Sequence, residues 1–190
     1  MMNLPARRPP RYFVIALIFF LSLVALLAQE AAKPKMEDQT SFDVIGISAR
    51  TNNTAEMGPN GEIPKLWQRL FGEGIVNQIP DRAGEEIVAV YTNYASDWNG
   101  DYTYILGAKV KSGTKAPNGM TAVSIAPGKY EEFVTAKGPG QEVVPAAWMK
   151  IYTFFQQPSV PPRAYKTDFE TYAPSDPANV QGHIFIGVKP

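Results

Sequence analysis

The chain has 190 residues, 18 basic and 18 acidic side chains, one histidine and no cysteine. Disulfides, thiolate metal sites, a cysteine nucleophile and cysteine lipidation are excluded, and any Ser-His-Asp triad or histidine metal site would hang on His183 alone. No cofactor or metal is therefore expected, while 45% hydrophobic and 12% aromatic content suffices for a packed core.

Arg7, Arg8 and Arg11 precede an apolar run from Phe13 to Leu27 whose one polar member is Ser22. A basic stretch before such a run reads as a signal peptide or membrane anchor over residues 1–28. If uncleaved, residues 12–28 would meet the membrane, although they are slightly short for a full span. Positive-inside bias then sends the remainder to a bacterial cell envelope, periplasmic or extracytoplasmic, anchored or secreted. Without residues 1–28 there remain 15 basic against 18 acidic side chains, and no basic stripe supports nucleic-acid binding.

Residues 29–41 are polar and small and read as a tether; residues 42–190 read as the globular part. Alternation predicts a strand over Phe42–Arg50, followed by the Gly/Pro/Asn-rich loop 51–62. Ile63, Leu66, Trp67, Leu70 and Phe71 then form one apolar helical stripe, with Pro64 in its first turn, where a missing N–H costs nothing. Strands over about 86–94 and 102–111 finish the first half. A further run, 121–125, turns through 126–129 into a strand at 130–137. The turn 138–140 leads to a helix at 144–152, and strands at 164–172 and 183–188 close the chain.

The two halves, about 42–112 and 119–190, echo each other. IPKLWQRLF (63–71) matches VPAAWMKIY (144–152), YAS at 94 is echoed by YAP at 172, YILGAK (104–109) by IFIGVK (184–189), and ISAR (47–50) by VTAK (134–137). The order is kept throughout, which reads as a duplication. The predicted class is α+β: tandem strand-helix-strand-strand units forming one antiparallel sheet that carries two helices, with a seam between the halves.

Aromatic side chains gather near the strand ends, with Trp67 and Trp148 on the helices, and together they suit a concave, mostly apolar pocket. Asp168 and Glu170 share one face of the strand TDFETYA (167–173). That face is either wet or lines the seam. In an aromatic seam Glu170 would lose hydration and attract a large, soft organic cation, whereas Asp168 is expected nearer the strand start, in solvent or beside Lys166.

From Phe42 to the end the chain resembles the GyrI-like small-molecule-binding domain, also known as the effector-binding domain of AraC-type bacterial transcription activators. IPKLWQRLF, VAVYTNYASDWNGDYTYILGAKV, APGKYEEFVTAKGPG, DFETYAP and IFIGVK carry the resemblance, in the family's order. It implies a pseudo-twofold pair of units with a ligand groove at their junction, and a glutamate that meets the charge of hydrophobic, often cationic, ligands. By position that glutamate is Glu170, with Trp67, Tyr91, Tyr94, Tyr104, Trp148 and Tyr172 as groove walls. The leader and the lack of a helix-turn-helix set the chain apart from relatives that activate transcription or inhibit gyrase.

Three functions fit these residues. The leading one is a non-catalytic, exported or membrane-tethered module for multidrug-like small-molecule binding. A second is a hydrolase of strained electrophiles, with Glu170 as base assisted by Tyr104 or Tyr172. A third is an envelope protein-interaction domain with contact edges at 51–62 and 158–163.

Overall fold

The computed structural model describes residues 33–174 and 176–190. The leader expected in residues 1–28 lies outside the described residues, among which no helix is long and apolar enough to cross a membrane. Among the described residues the strands are β1 (Lys35–Gln39), β2 (Phe42–Thr51), β3 (Arg82–Thr92), β4 (Tyr102–Val110), β5 (Thr121–Ile125), β6 (Gly128–Val134), β7 (Arg163–Tyr172) and β8 (Gly182–Val188). The described residues also hold three helices, α1 (Asn53–Glu56), α2 (Glu62–Gly72) and α3 (Gly140–Phe154), and two 3-10 turns at Ile75–Gln78 and Pro177–Asn179, an α+β fold.

All strands join one antiparallel sheet in the order β1-β6-β8-β7-β3-β4-β2-β5. The units β2-α2-β3-β4 and β6-α3-β7-β8 each run strand-helix-strand-strand, and they meet at the central pair β3–β7. Two-residue links join β1 to β2 and β5 to β6, although each pair is far apart in the sheet order. The register explains how. Lys35 lies opposite Glu132 and Gln39 opposite Gly128, while Phe42 lies opposite Ile125 and Gly46 opposite Thr121. A single register therefore runs through both pairings, so β1–β2 and β5–β6 form one long bent ribbon. Its two ends belong to opposite sides of the sheet, which must curl to accommodate it. Part of the stretch read as a tether is thus strand β1, and the family-like fold starts before Phe42.

Alternation along the strands gives the sheet two packed faces. Ile47, Ala89, Tyr91, Tyr104, Leu106 and Tyr172 pack with Leu66 and Leu70 of α2. Val44, Val88, Val90, Ile105, Ile125, Tyr130 and Phe169 form a second cluster on the face away from the helices. Ala147 and Ile151 of α3 cover Phe133, Ile184 and Ile186.

α2 is anchored by the loop before it. Glu56 accepts from the backbone N–H groups of Glu62 and Ile63, at 3.0 and 3.1 Å, and from the Thr51 hydroxyl. A carboxylate at an N-terminus satisfies orphan donors and complements the helix dipole. The second helix starts earlier than its apolar pattern implies, at Gly140 rather than 144, so Pro145 falls in the second turn. There it costs the Gln141 carbonyl its helical partner. No side-chain cap marks that end, which is why the sequence did not reveal it.

Candidate functional site

β3 and β7 run side by side through the molecule's middle, with Ala89 opposite Glu170 and Tyr91 opposite Asp168. Glu170 is only 1% exposed. Its Oε1 accepts from the Tyr91 hydroxyl at 2.9 Å and from the Trp148 indole N–H at 2.6 Å, and its Oε2 accepts from the Tyr172 hydroxyl at 2.7 Å. All three donors are neutral, and among the described residues no Lys, Arg or His pairs with Glu170. Burial pushes its carboxyl above the ordinary range, and the bonds from Tyr172, Trp148 and Tyr91 draw it only partly back. Burial and then the Glu170 charge hold Tyr91, Tyr104 and Tyr172 well above the usual phenol range, so these side chains act as donors.

The aromatic rings enclose this carboxylate. The Tyr91 ring lies 5.0 Å from both Tyr104 and Trp148, and the Trp67 ring stands edge-on to Tyr172 at 5.3 Å. The Trp67 N–H donates to the Tyr104 hydroxyl at 3.1 Å. Equivalent helix positions therefore supply two tryptophans, one reaching Glu170 directly and the other reaching the tyrosine layer. Gly182 closes the site from β8: a Cβ there would lie 2.6 Å from the Tyr172 ring.

Of the seven residues expected from the sequence, Glu170, Trp67, Tyr91, Tyr104, Trp148 and Tyr172 thus form one cluster. Tyr94 does not reach Glu170. It lies past the end of β3, beyond Asn93 at φ 51°, and its hydroxyl donates 2.7 Å to Asp168. The echo between YAS and YAP is consequently not a structural equivalence: Tyr172 ends a strand, whereas Tyr94 follows one. The expectation for Asp168 also fails. It is fully buried, bonded to Arg163 at 2.6 Å and to the Gly187 N–H at 2.8 Å. Alternation sets it on the same face as Glu170, and the irregularity in β7 between Arg163 and Asp168, where Tyr165 takes φ 51°, precedes it. Tyr102 and Tyr165 belong to the aromatic supply near the strand ends, whereas Arg163 was not legible as part of the site. Arg163 lies at the end of a proline-rich stretch that reads as a connector.

The expected groove is closed in this structure, because its walls pack on one another around Glu170. A cavity of about 320 Å³ opens on the other side of β7, lined by Phe42, Val88, Lys109, Phe169, His183 and Phe185. That cavity faces the second apolar cluster, not Glu170.

The fold that positions this carboxylate is shared with known proteins. The profile of the family described as "Integron-associated effector binding protein" (Cass2) matches residues 35–188. The YobU protein of Bacillus subtilis (strain 168) is 28% identical over 147 residues, covering 76% of this chain and 90% of YobU. The transcriptional regulator BrlR of Pseudomonas aeruginosa is 26% identical over 160 residues, 81% of this chain but 54% of BrlR, so the chain spans about half of that relative. Among solved structures, an integron cassette protein from the mobile metagenome of Vibrio cholerae, VCH_CASS2, superposes with a TM-score of 0.68 at 25% identity, covering 84% of this chain and 97% of that one. SAV2435 bound to tetraphenylphosphonium shares the fold, with a TM-score of 0.68 at 18% identity, over 83% of this chain and 94% of that one. The chain belongs to the integron-associated effector binding protein family and carries a small-molecule effector-binding domain.

Proposed function

We propose that this protein is a binding module for hydrophobic organic cations, with Glu170 as the charge acceptor and Trp67, Tyr91, Tyr104, Trp148 and Tyr172 as the aromatic walls. The observation that carries the reading is a carboxylate 1% exposed that meets three neutral donors and no cation. Stranding a charge in this way is costly, and a cation of low hydration recovers that cost through the carboxylate and the ring faces. Tetraphenylphosphonium bound to SAV2435, a neighbour in fold, is a cation of this kind. Because the site is closed, a ligand must displace the Trp148 N–H from Glu170. The Arg-flanked apolar run of residues 13–27 supports placing the module at or beyond a membrane.

The reading is tested by titrating the full chain with tetraphenylphosphonium while following tryptophan emission. Saturable quenching, with a raised melting temperature, is expected as Trp148 leaves Glu170. No change in either signal contradicts the assignment.

A further inference from the structure

Arg163, the first residue of β7, is 5% exposed although it carries a full charge. Its Nη2 lies 2.6 Å from Asp168 Oδ2. The guanidinium carbon sits 4.5 Å from the Tyr165 ring centroid, 5.7 Å from that of Trp148 and 6.0 Å from that of Phe155. Its Nε is buried and has no hydrogen-bond partner. Burial works against the charge, and Asp168 together with Tyr94 and Tyr165 more than offsets it, so the guanidinium is held above its ordinary range. A cation in an aromatic box against a buried carboxylate is what the surroundings of Glu170 would offer a ligand. Here the chain supplies the cation itself.

The two carboxylates are neighbours. Asp168 and Glu170 lie two residues apart on one face of β7, about 7 Å along the strand. One aromatic wall joins them, running from Tyr91 to Tyr102 at 5.4 Å and from Tyr102 to Tyr94 at 5.7 Å. Trp148 belongs to both, since its N–H meets Glu170 and its ring meets Arg163. The backbone at Tyr165 is left-handed, unusual for a bulky residue, and its ring lies over the guanidinium.

We propose that Arg163 determines charge specificity: it fills the Asp168 seat, leaves Glu170 as the unpaired carboxylate of the two, and so restricts the module to ligands with a single positive charge. The inference rests on the proposed role of Glu170. Removing the guanidinium opens a second seat of carboxylate and rings within reach of a second positive charge.

The test compares benzamidine with benzene-1,4-dicarboxamidine, which differ by one charge, on the unsubstituted full chain, Arg163→Ala and Arg163→Ala/Asp168→Asn. Tetraphenylphosphonium serves as a third probe. Calorimetry should show the diamidine-to-monoamidine affinity ratio rising roughly tenfold or more in Arg163→Ala and returning to its starting value in the double variant. An unchanged ratio in Arg163→Ala, with benzamidine still bound, overturns the inference, as does an equal rise in both variants. Should Arg163→Ala fail to fold, Arg163→Gln, with a similar reach and a donor for Asp168, carries the same comparison. If none of the probes binds the unsubstituted protein, the Glu170 reading fails first and takes this one with it.

Discussion

Ala89 lies directly opposite Glu170 at the middle of the β3–β7 pair, and both are buried. Two residues further along each strand, Tyr91 and Tyr172 give their hydroxyls to different oxygens of Glu170. The two tyrosines are placed symmetrically about this pair, whose centre is asymmetric: one strand carries a carboxylate and the other a methyl group. Two similar halves therefore build one charge site, and the small side chain of Ala89 leaves room for it.

Trp148→Phe keeps a ring in the wall and removes a donor from Glu170. Folding stability should fall by about 1.5–3 kcal/mol, the range for a hydrogen bond to a charged group. Affinity for tetraphenylphosphonium should instead rise several-fold, because the cation no longer competes with the indole N–H. Urea unfolding and calorimetry on the same preparation check both signs. A variant that binds more weakly contradicts the idea that ligand and Trp148 compete for the carboxylate.

The protonation of Glu170 makes stability fall as pH rises. Its folded-state pKa is raised, chiefly by burial, so the folded chain holds a proton that the unfolded chain has already released. The stabilisation is complete below about pH 4.3 and is lost between there and the raised folded value, at up to about 1.4 kcal/mol per pH unit. Burial raises Glu131 in the same direction, so the Glu170→Gln variant retains some of this slope. Glu170→Gln should therefore lose less stability than the parent between pH 4.5 and 7, read as urea midpoints. Parallel pH profiles would contradict the buried, uncompensated carboxylate.

Strand β1 makes a further prediction about where the fold begins. A chain starting at Phe42 lacks the partner of β6 and exposes that strand's edge. Relative to a chain starting at Lys33 it should lose on the order of 2–4 kcal/mol, a few backbone hydrogen bonds at about 1 kcal/mol net each. It should also associate at high concentration. Equal midpoints would mean that β1 adds nothing to the ribbon.

Much of this architecture can be read from the sequence because the pattern is local. The stripe Ile63, Leu66, Trp67, Leu70 gives α2, and alternation in the repeated closing motifs gives β4 and β8. β1 escapes because KMEDQ is an edge strand with three of its five residues exposed, and nothing apolar alternates along it. Asp168 escapes for another reason. Its burial is made tolerable by the Gly187 N–H in the next strand and by Arg163 five residues earlier, across a bulge, and neither partner is a periodic signal. The closure of the site around Glu170 likewise depends on indole and phenol geometry that spacing does not encode.

The most direct test of the central claim sets a cation against a neutral analogue of similar shape. Tetraphenylphosphonium and triphenylphosphine oxide would be titrated calorimetrically into the parent protein and into Glu170→Gln near neutral pH. If Glu170 reads charge, the substitution weakens the cation by about 2 kcal/mol or more, roughly thirtyfold, and changes the oxide little. Equal losses for both ligands, or none for the cation, would contradict the account.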